Sequence, residues 1–298
     1  MLSQAVGLKT ECPLHPEGVG QHSPGQRPGS ELNPSGCDVA ELPRRWTWLI
    51  RGFRRYFRRY VRKHVRAVRL AKAGAAFPPA DEPVLVVLNH PAWWDPLVGI
   101  VLSDAFAGRD QFATIDAAAL VRYRIFGRLG FVGVDSTSFR GAADFLRVGQ
   151  QILSEPNRVL WVTAQGRFAD VRVRPLALRS GVGHLAARLG RGVVVPLALE
   201  YAFWEERTPE ALARYGEPIR VADHPELDGK AWTRLIEERL THTLDALNAD
   251  AMSRDPGRFT TVLGGSAGVG GVYDVWRRVK ALFTGRRFDA SHGAEERP

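Results

Sequence analysis

The stretch Val84-Leu85-Val86-Val87-Leu88-Asn89-His90-Pro91-Ala92-Trp93-Trp94-Asp95-Pro96 decides the fold class. Its first five residues are aliphatic without interruption, which suits a strand buried on both faces, as in a parallel sheet. Residues 96–106 then repeat apolar positions at helical steps, with Pro96 suited to a first helical turn. The stretch therefore predicts strand, short loop, helix, with a histidine and an aspartate at the junction. In open α/β sheets the carboxyl ends of strands are where ligands sit.

Outward from it the pattern alternates. Strands are predicted at 111–115, 131–135, 158–163 and 193–199, with a short edge strand at 219–221. Helices are predicted at 117–129, 140–153, 179–189 and 230–249. This alternation implies an α/β domain with a central, largely parallel or mixed sheet flanked by helices, spanning 73–250. Residues 1–43 are rich in Gly, Pro and Ser without period and read as a disordered tail. Residues 251–298 read as a Gly-rich linker, a short basic helix bearing Tyr273 and Trp276, and a disordered C-terminus. The Gly-rich run lacks the Lys-Ser or Lys-Thr of a phosphate loop.

The 298 residues carry 41 basic and 32 acidic side chains, but the excess is local. Between Arg44 and Lys72 stand 12 Lys and Arg and no acid, which leaves 29 basic against 32 acidic residues elsewhere. The same segment places Trp46, Phe53, Phe57, Tyr60 and Val61 on one helical face and most of its cations on the other. A basic amphipathic helix over 44–72 suits a membrane interface, a solvated helix packed on its own domain, or a nucleic-acid arm. The membrane reading assigns Trp46, Trp48, Phe53, Arg54, Arg58 and Arg62 to an anionic membrane surface. No nucleic-acid partner is expected, since no recognised nucleic-acid module follows. No apolar run approaches the ~20 residues of a spanning helix, and Met1–Thr10 lacks a secretory pattern. Two cysteines, Cys12 and Cys37, form no metal or disulfide framework. A cytoplasmic protein, peripheral on the inner face of the membrane and without a metal site, is the expectation.

His90 and Asp95 carry two readings. A histidine removes a proton near neutral pH, and a carboxylate on its other ring nitrogen fixes the tautomer. Equally, Asp95 caps the helix and His90 merely ends the strand. The five-residue offset lets the two side chains meet only if the intervening residues turn.

Further blocks accompany them. Gly130-Phe131-Val132-Gly133-Val134-Asp135, Val162-Thr163-Ala164-Gln165-Gly166-Arg167 and Val194-Val195-Pro196-Leu197-Ala198 follow in order. With His90 and Asp95 as H-x-x-x-x-D, the chain over residues 80–220 resembles the lysophospholipid (glycerolipid) acyltransferase family. The resemblance implies transfer of an acyl group from acyl-CoA or acyl-carrier protein to a hydroxyl of a lipid acceptor. His90 is then the general base, Asp95 its partner, and no cofactor is required beyond the thioester co-substrate. Asn89, Ser136, Arg140, Gln165, Gly166 and Arg167 become acceptor-binding candidates. Trp93 and Trp94 become walls of an acyl channel, or core beneath the loop. Glu200 and Tyr201, at a strand end, lie within reach of the site. The chain departs from the family where Ser136 replaces an arginine and Gln165 a glutamate, which leaves the acceptor open. The rival from the same fold is a non-catalytic lipid-binding relative.

Overall fold

The computed structural model describes residues 42–74 and 81–265. Helix α1 (Thr47–His64) leads into strand β1 (Ala67–Ala71). Then follow β2 (Val84–Leu88), α2 (Asp95–Leu102), β3 (Asp110–Asp116), α3 (Ala117–Arg122), α4 (Ile125–Leu129) and β4 (Phe131–Val134). Next come α5 (Phe139–Leu153), β5 (Arg158–Thr163), α6 (Gly181–Ala186) and β6 (Val193–Ala202). The described residues end with β7 (Glu210–Tyr215), β8 (Ile219–Arg220), α7 (Gly229–Met252) and β9 (Phe259–Gly264).

The strands form one nine-stranded sheet in the order β4-β3-β5-β2-β6-β7-β1-β9, with β8 beside β6. Strands β4, β3, β5, β2 and β6 are mutually parallel, while β7, β8 and β9 bring antiparallel pairs. The fold is α/β with a mixed, mostly parallel sheet. Alternate residues of β2 serve opposite cores, as the period of two requires. Val84, Val86 and Leu88 join Val61 of α1 and Leu97 and Val98 of α2. Leu85 and Val87 join Ile152 of α5, Leu185 of α6 and Ile236 of α7. With apolar helices on both faces, β2 has no solvated side, hence its unbroken aliphatic run.

Three expectations change. The helix expected through Lys72 ends at His64; Val65 is extended and Arg66 N–H donates to Pro209 O at 2.8 Å. Val68 fits the helical spacing of the residues before it, but Ala67, Val68 and Ala71 bury instead between β7 and β9. The sheet therefore exceeds the expected limits of 73 and 250 at both ends. The helix expected at 117–129 is two short helices interrupted at Tyr123 and Arg124. Strand β7 was not expected. Among the described residues no helix is long and apolar enough to cross a membrane. The expected tail up to residue 41, the Gly-rich linker beyond residue 265 and the basic helix carrying Trp276 lie outside the described residues.

Much of α1 is engaged by its own domain. Its apolar side is taken by the domain: Val61 is fully buried, Phe57 and Tyr60 pack on the α2 core, and Phe53 meets Phe126 at 6.3 Å. Arg54 and Arg58 both pair with Asp104, and Arg54 also donates to Ser103 Oγ at 3.1 Å. Phe53, Arg54 and Arg58 are thus half-buried packing and pairing residues, since two helices with apolar stripes bury more by meeting each other. Trp46 stacks beside Trp48 at 5.8 Å with Arg128 over its ring, and Trp48 and Arg62 lie on the exposed side of α1.

Candidate active site

The site is built from three adjacent strand ends. Strand β2 lies between β5 and β6, so the residues leaving all three converge. Asn89 continues β2 by other means: its amide donates to Leu199 O at 2.9 Å and accepts from Leu199 N–H at 2.8 Å. Asn89 is buried and both its polar groups serve the β6 backbone, so it ties strands rather than meeting an acceptor.

His90 follows, with its backbone clamped on both sides. Its N–H donates to Gln165 Oε1 at 2.9 Å, and its carbonyl accepts from Ala169 N–H at 3.0 Å. Gln165 in turn donates from Nε2 to Leu176 O at 3.0 Å and is 3% exposed. That corrects its expected acceptor-binding role: the amide is sealed between two loop backbones. It also gives a physical account of an amide here, since a carboxylate has no proton for Leu176 O. Gly166 turns the chain with φ +62°, a left-handed conformation that favours glycine. Phe168 then lies over the His90 ring at 4.3 Å between centroids.

The turn 91–94 brings the two expected partners together. His90 Nδ1 lies 2.6 Å from Asp95 Oδ2. A carboxylate only accepts, so Nδ1 carries the proton and Nε2 is left with its lone pair. Asp95 is fully buried but well supplied: Oδ2 also accepts from Ala92 N–H at 3.2 Å, and Oδ1 from Tyr201 O–H at 2.8 Å. None of these donors belongs to the helix that Asp95 begins. Its side chain faces back into the loop, and capping does not explain it.

Tyr201 completes a chain Tyr201–Asp95–His90. Burial, and then the negative charge of Asp95, push the Tyr201 phenol well above its ordinary value, so it stays a donor. Its sequence signal was only its place at a strand end. Strand β6 runs five residues past Leu197, the partner of Leu88, and so carries Tyr201 over the loop. Glu200 points to the opposite face, where burial raises its carboxyl above the usual range despite nearby Arg172.

The remaining candidates fall farther out. Trp94 packs on Tyr60 and His64 of α1 at 5.9 and 5.7 Å, so it is a wedge between loop and helix. Trp93 is exposed beside it. Arg167 is exposed and has no carboxylate partner among the described residues. Ser136 and Arg140, also exposed, follow edge strand β4. Three strand spacings separate β4 from β2, roughly 14 Å. Ser136 stands in a capping turn in which Thr137 and Ser138 donate to Asp135 at 2.6 Å each. Away from this site, a cavity of about 160 Å³ opens beside Gly74, Arg214, Gly216, Arg239 and His242. Its Arg214 is already engaged by Asp250 at 2.8 Å. Among the described residues no group of three or more His, Cys, Asp or Glu gathers to hold a metal ion. No protein-family model matches the chain, and comparison with curated proteins gives no match.

Proposed function

We propose that the protein is an O-acyltransferase that moves a fatty acyl group from a thioester to a hydroxyl of a lipid acceptor. The observation that carries this reading is the chain Tyr201–Asp95–His90, which leaves Nε2 of half-buried His90 as a base at the end of β2. The acceptor O–H gives its proton to Nε2 while its oxygen forms a bond to the thioester carbonyl carbon. The imidazolium is stabilised by the buried Asp95 carboxylate. As the tetrahedral intermediate collapses, the C–S bond breaks and the thiolate takes the proton from Nε2. The products are an ester and a free thiol, and the histidine is restored. The developing oxyanion needs N–H donors; the amides of Arg167 and Phe168, in the loop lying over His90, have no acceptor among the described residues.

The donor class is acyl-CoA or acyl-carrier protein and the acceptor class a lysophospholipid or related lipid, met at the inner membrane face. These classes rest on the ordered sequence blocks around His90, Asp135, Gln165 and Pro196. Gln165 does not weaken the reading, because its amide is spent on the His90 loop.

The test is thiol release from acyl-CoA with a panel of lysolipids. His90→Ala should lower turnover by roughly 100- to 10,000-fold, the range for a lost general base, with an unchanged melting curve. Turnover near wild type in that variant refutes the mechanism.

A further inference from the structure

Exposed large apolar side chains also stand on α1 and at Tyr123, Ile125, Val173 and Met252, but each of the five mutually parallel strands is followed by at least one: Trp93 after β2, Val121 after β3, Phe139 after β4, Phe168 after β5 and Phe203 after β6. The exposures of these five run from 57% for Phe168 to 98% for Phe139. Among the described residues, the segments entering β2, β3, β5 and β6 carry no exposed large apolar residue, whereas Ile125 is exposed ahead of β4. Burying such a side chain in the core is favourable by about 1.5–3 kcal/mol, so five left exposed after five neighbouring strands call for an occupant.

The charge there has a sign. Apart from exposed Glu205, two residues past Phe203, the acids beside these apolar residues are used internally. Asp116 accepts from Ala119 N–H, Asp135 from Thr137 and Ser138, and Asp170 pairs with Arg172. Arg122, Arg140, Arg167 and Arg179 are exposed without carboxylate partners among the described residues. Apolar rings interleaved with unpaired cations match the headgroup level of an anionic bilayer.

We infer that this end of the sheet, around Trp93, Val121, Phe139, Phe168 and Phe203, is the face that docks on an anionic lipid bilayer. The site opens within this row of strand ends, because β2 is flanked by β5 and β6. A protein partner seated over the five loops would close His90, whereas a fluid lipid surface covers the rings and supplies an acceptor. That last argument rests on the acyl-transfer reading; the pattern of exposure and charge does not.

The test is flotation of the full chain with vesicles of phosphatidylcholine alone and of phosphatidylcholine with phosphatidylglycerol. Wild type and His90→Ala should both float with the anionic vesicles, and high salt should weaken both. The double variant Phe139→Glu/Phe203→Glu touches neither His90 nor its partners. It should bind about tenfold less or weaker, given the burial lost at each ring. It should keep wild-type turnover on a detergent-dispersed acceptor. If the double variant floats like wild type, the inference is overturned. It is overturned too if Trp48→Glu/Arg55→Glu on α1, or Trp276→Glu, abolishes flotation while the edge variant retains it. Loss of acyl transfer in every protein with flotation as expected would refute the enzymatic reading and leave the docking face standing.

Discussion

At the scale of single residues, Tyr201 and Gln165 set the geometry of His90, the proposed base. Tyr201 holds the second oxygen of Asp95, so that the carboxylate cannot rotate away from His90 Nδ1. In Tyr201→Phe the ring still packs but Oδ1 loses its donor and is left buried. Turnover should fall about tenfold, the effect of a charge-assisted hydrogen bond, with KM little changed; steady-state kinetics on the purified variant checks this. Gln165 is the complementary case. Gln165→Glu can keep both contacts only when protonated, and burial raises the pKa of such a carboxyl. A raised folded-state pKa on an acid means that stability is greatest below the unfolded value. It then falls as pH rises towards the folded one. The variant should match wild type in acid and be about 1–3 kcal/mol less stable at neutral pH, as read from urea midpoints across pH.

At the scale of elements, the start of α5 shows how a turn takes over a position expected to bind substrate. Ser138 caps the helix by accepting from Gly141 N–H at 3.0 Å, and Asp135 fixes Ser138 and Thr137. Gly141 permits the close approach, since a Cβ there would lie 2.1 Å from Asp135 O. The hydrogen bonds from Ser138 and Thr137 lower the Asp135 carboxyl from 3.8 to about 2. Its folded-state pKa is depressed, so its contribution is present above the ordinary value and lost as pH falls towards 2. Between those values wild type should lose thermal stability faster than Asp135→Asn, a difference that melting curves in a pH series would detect. Helix α1 makes the related point about faces. Its stripe of Phe53, Phe57, Tyr60 and Val61 is amphipathic in sequence whichever partner it meets, and here that partner is the domain itself.

At the scale of the whole molecule, the far side of the sheet is closed by strands that are distant in sequence. Arg69 of β1 forms a two-point pair with Glu210 of β7, at 2.8 and 3.2 Å, and reaches Thr261 of β9 at 3.0 Å. Both charges are buried. Removing one alone leaves the other desolvated and unpaired, which costs roughly 3–5 kcal/mol. Glu210→Ala should therefore lose that much in chemical denaturation, while Arg69→Met/Glu210→Leu should stay much closer to wild type. The same strands carry β6 past its neighbours, and this extension puts Tyr201 beside Asp95.

Local order was legible where a residue's neighbours in sequence are also its neighbours in space. The aliphatic run 84–88, the alternation of strands and helices, and the placing of His90 and Asp95 at a strand-to-helix junction all follow from periodicity and turn chemistry. Strands β1, β7 and β9 were not legible, because polar residues such as Arg69, Arg214 and Thr261 interrupt them and their pairing joins residues far apart in the chain. Whether Asp95 faces the helix or the loop, whether Gln165 and Asn89 meet solvent or backbone, and that Tyr201 joins the site were tertiary outcomes. A side chain's hydrogen-bond partner is fixed by which strands lie side by side. The sequence by itself determined an α/β sheet with a histidine and an aspartate at one strand end. Only the packing of β5 and β6 on either side of β2 made them a supported pair, because its donors and acceptors come from all three strand ends.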